Sequence, residues 1–173
     1  MGIARGPVVA SDVSLESYPK VAPHLERQMV QDELSQPKEA VGNFHSQVVT
    51  WCATKKDCDG KWSWHEDRAW SDEEWSNTIQ PKFLDFAKKT WGEIVRMAYG
   101  KGAKRKKMHH GHDISDLVEE AQHRWKEVGL EEFDAVFRFR LGATKRAWGY
   151  IAQSHFFLVW WERSHQIYPV SDN

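Results

Sequence analysis

Cysteine is scarce in this chain. Cys52 and Cys58 are the only two in 173 residues, too few for a disulfide framework. Long apolar runs are also missing, and none approaches the roughly 18 residues that a membrane-crossing helix needs. The first ten residues have no extended apolar core, so neither a membrane span nor a secretory signal is expected, and the chain reads as cytoplasmic. Net charge is nearly absent at −1, which argues neither for nor against a polyanionic partner. No Cys/His spacing matches a zinc signature, so no metal or other cofactor is expected. Proline is scarce beyond the start. Of six, Pro7, Pro19, Pro23 and Pro37 fall within residues 1–43, among many Ser, Asp, Glu and Gln residues. That stretch reads as a flexible N-terminal extension, with one short helix predicted over Ala22–Leu34.

What the chain has is aromatic bulk and an uneven charge. Ten Trp, eight Phe and four Tyr supply a core for one domain, placed over residues 44–173. Met1–Pro81 carries 8 Lys/Arg against 13 Asp/Glu, whereas Lys82–Tyr168 carries 16 against 11. A basic back half can pair with the acidic front half or face nucleic acid.

The last forty residues read as an antiparallel meander. Runs rich in Val, Ile, Phe, Tyr and Trp are separated by Gly-containing or polar breaks. In the run Val136–Leu141, strand alternation puts Phe137, Phe139 and Leu141 on one face and Arg138 and Arg140 on the other. Arg146 arrives on the next strand, so a cationic surface on a rigid platform is expected. Acidic partners for these arginines are the competing reading, with Glu119, Glu131, Glu132 and Asp134 as candidates.

Upstream, His45–Ala53 predicts a strand and Lys61–Trp64 a returning hairpin partner. Ser71 and Glu74 form a capping box that starts a helix, with a break and restart near Gln80–Pro81. Phe83, Ala87, Trp91, Ile94 and Ala98 recur at helical spacing, predicting one amphipathic helix that ends by Gly100 or Gly102. A second helix is predicted over about Ser115–Val128, with Gly129 as its C′ residue. The expected fold is therefore α+β, a four- to five-stranded antiparallel sheet with two main helices on one face. Between the helices, Lys104, Arg105, Lys106, Lys107, His109, His110 and His112 form the densest positive charge. They read as a nucleic-acid-binding loop or a solvated connection, and only weakly as a metal site. Trp62, Trp64, Trp70 and Trp75 read as core rather than as base-stacking platforms. Of the adjacent Trp160 and Trp161, one is expected on the cationic face.

The order strand-helix-helix-meander, with F-R-F-R-L-G at 137–142, K-R-A-W-G-Y-I at 145–151 and R-S-H-Q-I-Y at 163–168, resembles the RelE/ParE superfamily of bacterial toxins. The resemblance implies a metal-independent endoribonuclease acting on mRNA, free or on the ribosome, and neutralised by a separate antitoxin protein. It carries over Arg138, Arg140, Arg146, His165 and Tyr168 as candidate catalytic residues. Arginine forks match phosphate oxygens, and an imidazole can move a proton near neutral pH. A ParE-like gyrase inhibitor shares the fold. A non-enzymatic module that binds nucleic acid or an acidic protein through the same face is the alternative.

Overall fold

The run His-Phe-Phe-Leu-Val-Trp-Trp-Glu near the C-terminus is apolar at nearly every position, as in a strand covered on both faces. It forms the centre of the fold. In a computed structural model of the chain, which describes residues 44–169, this run is strand β7 (His155–Glu162) of a five-stranded sheet. The other strands are β1 (Thr50–Cys52), β4 (His110–Asp113), β5 (Ala135–Arg140) and β6 (Arg146–Ala152). Their order is β1-β7-β6-β5-β4, antiparallel throughout except that β1 runs parallel to β7. Strands β2 (Ala98–Tyr99) and β3 (Lys106–Lys107) form a separate two-stranded hairpin. The extension 1–43 and its helix over Ala22–Leu34 lie outside the described residues.

The meander β5-β6-β7 forms as the residue pattern predicts. A bulge interrupts the β6–β7 register between Trp148 and Gly149. Gly149 is required there, because a Cβ would lie 1.9 Å from the Phe157 carbonyl oxygen. Trp148 pairs with Trp160 and Gly149 with Leu158, which leaves Val159 as the extra residue. Trp160 consequently shares a face with Trp148, while Trp161 enters the opposite core with Ala147.

The helices are not confined to one face. Helix α1 (Asp72–Glu74) starts at the Ser71/Glu74 capping box and runs through a π-helical stretch (Trp75–Ile79) into α2 (Gln80–Phe86). The expected break near Gln80–Pro81 does not occur, because the π-helical turn, with Gln80 N donating to Trp75 O, carries the helix through Pro81. The single long helix expected over 83–98 is instead two. Thr90 and Glu93 form a second capping box that starts α3 (Trp91–Arg96) in a new direction. Phe83, Phe86, Trp91 and Ile94 from these helices pack on Phe137, Phe139, Phe156 and Leu158. Helix α4 (Glu119–Glu127) lies on the other face, where Ala121 and Trp125 meet Val136, Tyr150, Val159 and Trp160. Gly129, with φ +79°, closes it as expected. With both faces of β7 apolar, one helical layer leaves half of that surface wet, and α4 covers it.

Two further expectations change. Strand β1 is shorter than His45–Ala53, and its partner is β7 rather than residues 61–64. Lys61 makes only an isolated bridge to Asp67. The connection between the helices is not a plain loop, because it contains β3 and β4. No described helix is long and apolar enough to cross a membrane.

Candidate functional site

Helix α4 covers only part of its face of the sheet. At the other end of that face, strand pairing sets Arg138 opposite both His110 and Trp148, Arg140 opposite Arg146, and Arg146 opposite Glu162. Paired residues point to the same side, so the three arginines converge as the alternation predicts. Strand β4 adds His110 and His112, which lie two residues apart on the same face with ring centroids 4.4 Å apart.

His165 and Tyr168 arrive on the turn after β7, which is held from both sides. Ile167 is buried in the α4 core and its carbonyl accepts from Val118 N at 2.9 Å. Buried Glu162 accepts from Ile167 N at 2.6 Å and from Trp148 Nε1 at 2.7 Å. His165 has a left-handed φ of +59°, a conformation that costs a non-glycine residue energy and recurs at functional positions. The Tyr168 ring lies 4.3 Å from that of His112. Arg138, Arg140, Arg146, His110, His112, His165 and Tyr168 are therefore brought together.

The electrostatics of this cluster are unusual. Arg138 and Arg146 are only 6% and 3% exposed, yet no carboxylate among the described residues lies within ion-pair distance of either. Arg138 Nη2 donates to His110 Nε2 at 2.8 Å, and its guanidinium lies 5.9 Å from the Trp148 ring. Arg146 ties the β5–β6 turn through the carbonyls of Gly142, Ala143 and Lys145. Arg138 Nε, Arg146 Nε, His112 Nε2 and His165 Nε2 are buried without a hydrogen-bond partner among the described residues. A buried polar group without a partner is expensive, and Trp62 Nε1, Arg68 Nε and His109 Nε2 share that state elsewhere among the described residues.

Burial, reinforced by the neighbouring cations, lowers the histidine pKa values, and His112 and His165 each fall to about 4. His110 is lowered for the same reason, and its Nε2 is free to accept from Arg138. Burial, then repulsion from Arg138 and Arg140, brings Arg146 down to about 10. Glu162 moves the other way, its carboxyl pushed up by burial. At neutral pH the site thus holds neutral imidazoles beside cationic guanidinium groups. That combination can bind an anion and accept a proton next to it.

Of the other expected residues, one behaves differently. His109 points to the opposite face, fully buried against Phe86 and Phe139, with Nδ1 accepting from Arg140 N at 3.0 Å. It is a core histidine and cannot touch a nucleic acid, because β4 alternation sends it away from His110 and His112. Trp62 and Trp64 stack on each other, and Trp62 lies edge-on to Trp160 beside α4, in structural roles. Lys104, Arg105, Lys106 and Lys107 are exposed on the β2–β3 hairpin. Glu162 and Tyr99 were not foreseen. Tyr99 packs under Arg140, with the guanidinium carbon 3.8 Å from the ring centre. Tyr99 carried no sequence signal, whereas Glu162, the acid ending an otherwise apolar buried strand, was a readable one.

No protein-family model, curated protein or solved structure matches this chain.

Proposed function

We propose that the arginine–histidine face binds an RNA phosphodiester and cleaves it without a metal, in the manner of a RelE-like toxin. The observation that carries this reading is the burial of Arg138 and Arg146 with no carboxylate at ion-pair distance, buried Glu162 opposite Arg146 acting on them only from further off. A buried cation left unmatched is costly, and an anionic phosphate arriving between the two would supply the missing charge. Guanidinium forks hold phosphate oxygens through paired hydrogen bonds and stabilise the charge that builds on them in the transition state.

Cleavage pairs a neutral imidazole, His165, as base with a protonated one, His112, which takes up its proton from water once the bound phosphate offsets the neighbouring arginines. His165 takes the proton of the 2′-hydroxyl, whose oxygen attacks phosphorus. The bond to the 5′-oxygen breaks, and that oxygen receives a proton from His112, which the bound phosphate has made easier to protonate. The products are a 2′,3′-cyclic phosphate and a free 5′-hydroxyl. Tyr168, against His112, orients that ring. The RelE-like reading of the fold is supported by β1, the helices and the meander following in that order, with β2, β3 and β4 inserted before the last helix. On this reading the partners are RNA, free or ribosome-bound, and an antitoxin covering the cationic face.

The test is incubation with single-stranded RNA in the presence of a chelator, followed by end-group analysis. Cyclic phosphate ends that disappear in His165→Ala, while RNA binding persists, support the enzyme. RNA binding without cleavage, unaltered in His165→Ala and weakened by loss of Arg138 or Arg146, leaves a non-enzymatic binding module.

A further inference from the structure

The β2–β3 hairpin projects from the same end of the sheet and carries Lys101, Lys104, Arg105, Lys106 and Lys107 with no acidic residue between them. All five are exposed, and none lies within ion-pair distance of a carboxylate among the described residues. Like charges this dense repel one another and contribute nothing to folding.

The hairpin is joined to the arginine cluster at two points. Tyr99 in β2 lies beneath Arg140, and it pairs with Lys106, so Lys106 projects on the side of the hairpin that meets the cluster. Just beyond β3, Met108 N donates to Met97 O at 2.8 Å, closing the base of the hairpin. The chain then enters β4 through His109, fixed in the core, and His110, which accepts from Arg138.

We infer that the hairpin is an electrostatic arm that holds the backbone of single-stranded RNA flanking the phosphate bound at Arg138 and Arg146. The inference rests on the phosphodiester reading of that site. A single strand is favoured over an acidic protein because the arm ends in an aromatic–cation stack, Tyr99 on Arg140, beside a buried anion site. A basic arm continuous with a phosphate site can follow the backbone of an unpaired strand electrostatically, and here Tyr99 under Arg140 joins the two. The arginines are almost wholly buried, so a phosphate reaches them only from a backbone that can be drawn in, which a rigid duplex resists.

The experiment compares a 2′-deoxy, uncleavable dinucleotide with a strand of about twenty nucleotides, long enough to span the arm as well as the site. Both are titrated into the full chain and into K104Q/R105Q/K106Q/K107Q, with circular dichroism to confirm the fold. In the wild type, affinity should rise at least tenfold from the short to the long ligand. In the variant that rise should vanish, and the salt slope for the long strand should drop by about two to three, at roughly 0.7 for each phosphate that the arm no longer neutralises. A rise with strand length that survives in the variant overturns the arm, as does poly-glutamate competing as well as the strand. A wild type that binds the long strand but not the dinucleotide overturns the underlying site, and the inference with it.

Discussion

Two pairs of arginines in this protein are withdrawn from solvent in opposite ways. Arg124 meets Asp57 through two parallel hydrogen bonds of 2.8 and 2.7 Å, and Asp57 also accepts from Trp160 Nε1 at 3.0 Å. Arg163 meets Glu74 in the same forked manner and donates to the carbonyls of Asp67 and Ala69. In both, the hydrogen-bonded carboxylate raises the arginine pKa, and the arginine holds Asp57 and Glu74 below the ordinary carboxylate range. Arg138 and Arg146 have burial without that match, and their pKa values fall. The matched pair fastens loops 57–60 and 66–71 to the sheet and α4. The unmatched pair bonds only neutral groups, the turn carbonyls for Arg146 and His110 for Arg138, and on the proposed reading its charge is met by a bound anion.

The largest effect should come from breaking a matched pair. Asp57→Ala should cost about 3 kcal/mol or more in urea denaturation, because it strands Arg124 and the Trp160 N–H. Arg138→Met should act in the opposite direction, raising stability by about 1 kcal/mol while abolishing phosphodiester binding, since an unmatched charge gives way to an apolar chain. A loss of stability as large as that of Asp57→Ala would erase the distinction between the two kinds of site.

Acid should separate them further. The pKa of Glu74 is lowered to about 2 in the folded state from 4.5, chiefly by Arg163, so its contribution is complete above pH 4.5 and is lost as pH falls towards 2. His112 and His165 have folded values near 4 against 6.5 in the free side chain, so the unfolded chain binds more protons between those values. Stability therefore falls as pH drops from about 6.5 to 4. His109 and His155 add to that fall from outside the site. Inorganic phosphate should flatten only the part due to the site histidines His110, His112 and His165, visible as a smaller pH dependence of the melting temperature. At the low end, Lys61→Ala removes an exposed pair to Asp67, both side chains about 60% exposed, and should change stability by no more than about 0.5 kcal/mol.

The meander and the convergence of Arg138, Arg140 and Arg146 were legible because both depend on a two-residue period written in adjacent positions. The first helix start was legible through Ser71-x-x-Glu74, and the same signature at Thr90-x-x-Glu93 was overridden by the apolar spacing of Phe83, Ala87, Trp91 and Ile94. That spacing spans two helices that happen to face one core. The second helical layer was implicit in the unbroken apolar run of β7, which no single layer can cover. Strand β4 was obscured because His-Gly-His-Asp has little strand character of its own and forms by pairing with β5. That pairing also decides which histidines join the site, since His109 differs from His110 only in the parity of its position. The bulge at Val159 and the partners that Glu162 accepts from depend on tertiary contacts that local pattern does not encode, although the acid itself stands out at the end of an apolar run.

The most direct measurement is the thermal shift produced by the uncleavable dinucleotide on the wild type beside Arg138→Met. A ligand that binds only the folded chain raises its melting temperature by mass action. The wild type should melt lower than the variant without ligand and gain several degrees with it, while the variant gains nothing. Equal gains in both proteins, or none in the wild type, would contradict the assignment of the unmatched arginines to an anion.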